Sequence, residues 1–130
     1  MSDSFTVDVP IRYRDLDTLE HVNNAVYATY LEVARTEYLR EVLGDRMEEF
    51  QYVLASLELT FGRPLTLDDD LRVSVRTLDV GTSSWTMGYD LTDDGESAAT
   101  AETTVVFVGR ETKRPAPIPE ELRRRIEERG

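Results

Sequence analysis

The sequence predicts an α+β domain in which an antiparallel sheet of about five strands wraps around one long central helix. Three features favour this class: a strand-like alternation near the start, one long apolar segment with helical spacing, and four further strand-like runs joined by short connections. At 130 residues the chain has the length of one ordinary domain, and we expect a single domain over residues 1–130.

The central helix is predicted over about residues 24–43, which contain neither proline nor glycine. Asn23 or Asn24 is a suitable N-cap, and Gly44 suits the position just after the helix. Apolar residues recur at helical spacing at Tyr27, Leu31, Ala34, Tyr38 and Val42. Further apolar residues flank this stripe, so the helix is expected to be largely surrounded by other elements.

The strands are recognised by alternation and by the turn residues between them. Residues 5–13 alternate apolar and polar side chains, and Pro10 favours an edge position or a bulge because it cannot donate to a ladder. The other runs cover residues 52–61, 71–80, 84–91 and 98–108. Their connections are too short for parallel crossovers, which favours antiparallel neighbours. The tail from Pro119 resembles a short, charged terminal helix.

The charge balance disfavours several classes of partner. The formal net charge is −11, and a surface of that sign repels nucleic acid and anionic lipid. The only lysine is Lys113, and this composition fits either salt adaptation or an ordinary acidic protein. With no leader-like pattern and no long apolar run, we expect a cytoplasmic protein that binds no membrane.

The absence of cysteine removes several kinds of chemistry. Disulfides, thiolate nucleophiles and cysteine-ligated metals are excluded, and a single histidine, His21, excludes a multi-histidine metal site. The sequence also lacks the G-x-S-x-G pattern of serine hydrolases. We therefore expect no metal and no cofactor, and any hydrolytic chemistry would depend on a carboxylate.

One polar cluster precedes the predicted central helix. Asp15, Asp17, His21, Asn23 and Asn24 all lie within the segment RDLDTLEHVNN. Aspartate, threonine and asparagine commonly satisfy free N–H groups at helix starts, so these residues by themselves also fit a loop and cap without chemistry. A catalytic site at the helix N-terminus is the alternative.

This segment resembles the signature of the hotdog-fold thioesterases of the 4-hydroxybenzoyl-CoA thioesterase type. That family carries D-x-D-x-x-G-H-V-N-N-x-x-Y before its central helix, and the matching positions here are Asp15, Asp17, His21, Val22, Asn23, Asn24 and Tyr27. A looser similarity continues through Glu32, Arg35 and the stretch FGRPLTLDDDLRVSV. The departure is Glu20, where many members have glycine, and this puts the local turn geometry in question.

The resemblance implies an acyl-CoA thioesterase in which Asp17 is the nucleophile or the general base. The helix start would polarise the thioester carbonyl, with the Asn24 N–H as oxyanion donor. His21 is a further catalytic candidate, and Asn23 and Tyr27 are candidates for substrate binding. Whether Asp17 attacks directly or orients a water molecule stays open.

Substrate and assembly follow from the same resemblance. Arginines are candidates for the coenzyme A phosphates, Arg63 and Arg72 among them. In the family two sheets join edge to edge, so we expect a homodimer or homotetramer with sites shared between subunits. Three alternatives remain: an acyl-CoA-binding domain without catalysis, a dehydratase or hydratase, and a purely structural domain. Neither the acyl group nor the choice between coenzyme A and acyl carrier protein is decided by the sequence.

Overall fold

A computed structural model of the chain describes residues 5–130, and residues 1–4, which begin the stretch without a leader pattern, lie outside it. The described residues form one five-stranded antiparallel sheet and two α-helices. The strands are β1 (Phe5–Asp8), β2 (Tyr52–Phe61), β3 (Leu71–Val80), β4 (Ser84–Asp93) and β5 (Glu96–Phe107), and the helices are α1 (Tyr27–Leu43) and α2 (Glu120–Arg129). The predicted α+β class is confirmed.

Helix α1 forms where the apolar spacing predicts it. A 3₁₀ turn, Asn24–Val26, precedes its first residue, and Asn23 caps that turn because its Oδ1 accepts the Ala25 N–H at 2.9 Å. At the other end Gly44 has a φ of 57°, a left-handed conformation that glycine adopts at little cost. The buried face of α1 packs into the main core beside the inward-facing residues of the sheet.

Strand β1 is shorter than predicted. It ends at Asp8 rather than at residue 13, and only the Val9 N–H continues the pairing, with a bond of 3.1 Å to the Leu71 carbonyl. Pro10 has no N–H to donate, and a 3₁₀ turn follows at Tyr13–Asp15. The strand lies at a sheet edge, as the proline indicates.

The order of the strands is β1-β3-β4-β5-β2, with every pair antiparallel. The expectation that β2 and β3 are neighbours is therefore wrong, because β2 pairs with β5 and β3 pairs with β1. The connection over residues 62–70 crosses the end of the sheet instead of turning back in a hairpin. Its first residues bond to the Ala98 carbonyl, with Gly62 N at 2.8 Å and Arg63 N at 3.0 Å. This crossing brings residues 62–64 beside the start of α1 and residues 66–68 beside the loop that precedes it.

Helix α2 begins after Pro119, as predicted, and contributes to the core. Leu122 and Ile126 are buried in the cluster that contains α1. The Arg125 guanidinium donates to the Leu43 carbonyl and, at 3.0 Å, to Asp45, so α2 supplies a cation to the carboxyl end of α1. Within residues 5–130 neither helix is long and apolar enough to cross a membrane.

Candidate active site

The first carboxylate of the D-x-D pair is a structural anchor. Asp15 is only 2% exposed. Its Oδ2 accepts the Arg12 N–H at 2.9 Å and the Tyr30 hydroxyl at 2.8 Å, and its Oδ1 accepts from the Arg12 guanidinium at 3.1 Å. The Asp15 carbonyl accepts the Asn23 N–H at 2.8 Å. Asp15 therefore ties both ends of the loop 12–23 to helix α1.

These contacts set the ionisation states of Asp15 and Tyr30. Burial by itself would raise the pKa of Asp15, but the hydrogen bonds from Arg12 and Tyr30 outweigh it, so the pKa lies below its usual range. Burial and the bond to Asp15 raise the pKa of Tyr30. Asp15 is thus an ionised, fully partnered carboxylate with no free oxygen for chemistry.

The second carboxylate, Asp17, is exposed, and only one of its two oxygens accepts hydrogen bonds from residues 5–130. Its Oδ1 accepts the Leu19 N–H at 2.8 Å and the His21 N–H at 3.2 Å. Its own N–H donates to the His21 carbonyl at 2.7 Å, which closes a tight turn. No atom of residues 5–130 donates to Oδ2. One oxygen therefore fixes the turn while the other faces solvent.

Glu20 occupies the position where the family pattern has glycine. Its φ is 66°, in the left-handed region that glycine adopts at low cost, and its N–H donates to the Asp17 carbonyl at 3.0 Å. The sequence put the geometry of this turn in question, and the turn is formed even though residue 20 is a glutamate. The bonds to the Asp17 carboxylate and the bridge between His21 and Thr66 offset the local strain.

The start of α1 leaves one N–H free. Asn23 uses its side chain for the Ala25 N–H and its carbonyl for the Val26 N–H, at 2.9 and 2.8 Å. The Asn24 N–H donates to no atom of residues 5–130. It therefore remains available at the positive end of the helix dipole.

Asp17 and His21 lie between two clefts. The smaller, about 220 Å³, is also lined by Val22, Asn24, Tyr27, Phe61, Gly62, Arg63 and Pro64. The larger, about 660 Å³, has exposed apolar and charged walls from Tyr13, Arg14, Leu16, Leu19, Glu20, Thr66, Leu67 and Asp68. The smaller cleft thus brings together five of the seven predicted site residues.

The two remaining residues lie apart from the cleft walls. Asn23 is the cap of the 3₁₀ turn, and Arg72 projects from β3, where its Nε donates to Asp8 at 2.9 Å.

Arg63 reaches the cleft, but its guanidinium is held by Asp93 at 2.9 Å and lies 3.6 Å from Asp69 and from Glu96. The acidic neighbours raise its pKa, the bond to Asp93 most of all. Tyr27 is buried, and its ring meets that of Phe61 edge-on at 4.9 Å.

Several lining residues come from the crossing connection, which sequence reasoning assigned to the site only through Arg63. Gly62 and Pro64 line the smaller cleft beside Phe61, the last residue of β2, and Thr66 lines the larger one. The Leu65 carbonyl accepts the Val22 N–H at 2.8 Å, which fixes the connection against the loop 12–23. The aromatic and proline of FGRP were the available signal. Residues 5–130 contain no cluster of three or more His, Asp and Glu side chains suited to a metal ion.

Comparison with protein families identifies the class. A family model described as the Thioesterase-like superfamily matches residues 11–126. The chain belongs to this family, and the predicted hotdog-fold membership and thioester hydrolase class are confirmed.

Individual relatives agree with this assignment. The chain is 26% identical over 130 residues to the long-chain acyl-CoA thioesterase FadM of Escherichia coli, covering 92% of this chain and 95% of FadM. A thioesterase from Thermus thermophilus, solved in complex with coenzyme A and zinc, is 43% identical, with a TM-score of 0.86 over 95% of this chain and 91% of the other. The probable thioesterase YbaW of Escherichia coli is 25% identical, with a TM-score of 0.83 over 94% and 96% of the two chains.

Proposed function

We propose that the chain hydrolyses acyl-CoA thioesters to a free carboxylic acid and coenzyme A, with Asp17 as the catalytic carboxylate. The observation that carries the proposal is that the free Oδ2 side of Asp17 and the free Asn24 N–H belong to residues lining the same cleft. A reacting carbonyl between them would meet a nucleophile or base on one side and an oxyanion donor on the other.

The chemistry needs no further residue for its first step. Oδ2 either attacks the thioester carbon, forming a mixed anhydride that water then hydrolyses, or orients the water that attacks. The carbonyl oxygen becomes negative in either case, and the Asn24 N–H at the helix N-terminus stabilises it. The thiolate of coenzyme A leaves and takes up a proton. The His21 imidazole lies beside both clefts and is the proposed second catalytic group.

The matching experiment is Asp17→Asn. The amide oxygen of asparagine can keep the bonds to Leu19 and His21 N–H, so the turn should survive, whereas the –NH₂ group in place of Oδ2 can neither attack nor accept a proton. We expect kcat/KM to fall by about 100-fold or more with an unchanged Tm. Thiol release from short, long and aromatic acyl-CoAs is the assay, and the control is Asp79→Asn on the exposed part of β3.

Retention of more than about a third of wild-type kcat/KM by Asp17→Asn would overturn the role of Asp17. The alternative of an acyl-CoA-binding domain without catalysis makes a different prediction. It requires acyl-CoA to bind to the wild-type chain with no thiol released above background.

We further propose that the active unit is at least a dimer joined through β2. This edge strand exposes Val53, Leu54, Leu57 and Phe61 by 40–51% each. A long apolar edge of this kind is a template for pairing with another chain. The other edge, β1, covers Phe5–Asp8 within the described residues 5–130 and carries the Asp8–Arg72 ion pair. Phe61 also lies in the smaller cleft, so a second copy on β2 would help to enclose the substrate.

Light scattering should therefore give a mass of at least twice 14.9 kDa. Dilution below the dimer dissociation constant should remove activity together with the dimer. A monomer with full turnover would contradict the shared site.

A further inference from the structure

A small groove lies between the end of β1 and helix α1, apart from the two clefts at Asp17. It has a volume of about 250 Å³, and we call it the β1–α1 groove. Its walls are mainly apolar and are formed by Val9, Pro10, Arg12, Thr29, Tyr30 and Val33. None of these six residues lines either of the two clefts, so the groove is a separate site.

Arg12 is the only charged residue among the six that line the β1–α1 groove. Its side chain is 51% exposed, and its Nη2 donates to Asp15. The Nε and Nη1 atoms of Arg12 donate to no atom of residues 5–130. The groove thus offers a cation with unused N–H donors in a protein whose net charge is −11. Guanidinium groups bind carboxylates through such N–H donors.

The rest of the groove offers apolar surface to a ligand. Val33 is 42% exposed on α1, and Pro10, which has no N–H to satisfy, is exposed as well. A ligand that fits both parts has a carboxylate at one end and a hydrocarbon or aromatic body at the other. The volume of about 250 Å³ lies below the usual range for drug-sized ligands, roughly 300–1,000 Å³, which favours a small molecule.

Two walls of the groove also hold the buried Asp15 carboxylate. The Arg12 guanidinium donates to its Oδ1 at 3.1 Å, and the Tyr30 hydroxyl donates to its Oδ2 at 2.8 Å. The Asp15 carbonyl accepts the N–H of Asn23, which precedes the start of α1. A carboxylate on Arg12 would compete with Asp15 for the same guanidinium. A ligand in the groove therefore acts on the loop 12–23, which carries Asp17.

We propose that the β1–α1 groove binds a small apolar carboxylate, with its charge on Arg12 and its apolar body against Pro10 and Val33, and that this binding lowers turnover at Asp17. The proposal rests on the proposed function, because a free carboxylic acid is what hydrolysis of the thioester releases. The groove is then a second site for the chemical class of the product. Accumulated product slows the reaction without entering the catalytic cleft.

Three probes test the two parts of the site on the wild-type protein. Octanoate has both the carboxylate and the apolar chain, 1-octanol keeps the chain without the charge, and acetate keeps the charge without the chain. The methyl signals of Val9, followed by NMR, report the Kd at the groove itself. We expect octanoate to bind at least about 10-fold more tightly than either of the other probes, because each of them lacks one of the two contacts. Equal affinity for octanoate and one of the others would overturn the proposal.

A pair of matched variants tests the location of the site. Val33→Glu places a carboxylate in the groove and should weaken octanoate binding by about 10-fold or more through repulsion of like charges. Leu78→Glu makes the same change in charge at an equally exposed position, 42%, on β3, and should bind octanoate like the wild type. The Tm of each variant checks its fold. Loss of binding in both variants, or in neither, would contradict the assignment.

The kinetic pattern separates the groove from ordinary product inhibition in the cleft. Octanoate that occupies the catalytic cleft competes with acyl-CoA and raises KM, whereas octanoate in the groove lowers kcat. Each protein is compared with itself in the absence of octanoate. The octanoate concentration that gives half of the fall in kcat should match the Kd at Val9, so in Val33→Glu it should be about 10-fold higher. An effect on KM alone in the wild type would refute control from the groove.

Failure of this proposal and failure of the proposed function give different results. If octanoate binds at Val9 with the expected preference over the other probes but the protein releases no thiol from acyl-CoA, the catalytic proposal fails and the carboxylate site stands. If thiol release depends on Asp17 but octanoate leaves the Val9 signals unchanged, catalysis stands and the groove assignment fails.

Discussion

Replacing Tyr30 by phenylalanine removes one hydrogen bond from the buried Asp15 carboxylate, and the structure supplies a matched control on the same helix. Tyr30 and Tyr38 are each 2% exposed. The Tyr30 hydroxyl donates to Asp15 at 2.8 Å, whereas the Tyr38 hydroxyl shares a 2.8 Å bond with the neutral Thr77 hydroxyl. The two Tyr→Phe changes delete the same atom from equally buried positions. The partner of Tyr30 is charged, whereas the partner of Tyr38 is neutral and also accepts the Trp85 indole N–H at 2.9 Å.

The expected costs differ because bonds to charged groups are stronger. Tyr30→Phe should lower the free energy of unfolding at pH 7 by about 1.5–3 kcal/mol, and Tyr38→Phe by about 0.5–1.5 kcal/mol. For a chain of this size each 1 kcal/mol corresponds to roughly 3–5 °C in Tm. Urea unfolding followed by the fluorescence of Trp85 measures both values.

The pKa of Asp15 determines how the cost of Tyr30→Phe changes with pH. The folded-state pKa of Asp15 lies below the usual aspartate value of 3.8, so its contribution to stability is present above that value and is lost as pH falls through the folded pKa. Loss of the Tyr30 bond raises the folded pKa of Asp15, so the cost of Tyr30→Phe should be full at neutral pH and shrink as the pH falls below the usual aspartate range. The cost of Tyr38→Phe should stay constant. Equal costs at pH 7, or a Tyr30→Phe cost that does not shrink in acid, would refute this account of the loop.

Three further outcomes are expected. Glu20→Gly should raise the free energy of unfolding by roughly 0.5–1 kcal/mol in urea titrations, because glycine relieves the left-handed strain at φ 66° and loses part of that gain to its freer unfolded state. Leu57→Lys on β2 should shift the protein towards monomer in scattering and lower its activity on dilution, while Leu78→Lys, an equally exposed position on β3, should do neither. If the acidic composition is salt adaptation, Tm should rise steeply between about 0.1 and 2 M KCl, and a flat curve would support an ordinary acidic protein.

The strands and helices could be predicted because apolar residues recur within each of them at the spacing typical of that element. The ranges of β2 and β3 match the prediction, and α1 matches apart from its first 3₁₀ turn. The neighbour of β2 was not predictable in this way. A nine-residue connection fits both a hairpin and a crossing, and the choice depends on distant groups such as the Ala98 carbonyl. The core role of α2 was also missed, although Ile118, Leu122 and Ile126 recur at a spacing of four residues.

The motif indicated the candidate site but did not separate the two aspartates by itself. Both lie in the same loop two positions apart, and either one fits a capping or a chemical role. Their difference comes from Tyr30, fifteen residues away on α1, which helps to bury and satisfy Asp15. Only the resemblance to a family singled out the second aspartate in advance.

The loop 12–23 shows how an exposed side chain is held in one orientation. Asp17 is fixed by backbone N–H groups from its own turn, so its orientation does not depend on another mobile side chain. Asp15 fixes one end of this turn, and Leu65 and Thr66 fix the other end. Because only Oδ1 accepts the bonds of the turn, the geometry of the turn and the role proposed for Oδ2 belong to different atoms of one residue. A substitution that keeps the first oxygen and replaces the second therefore separates structure from catalysis.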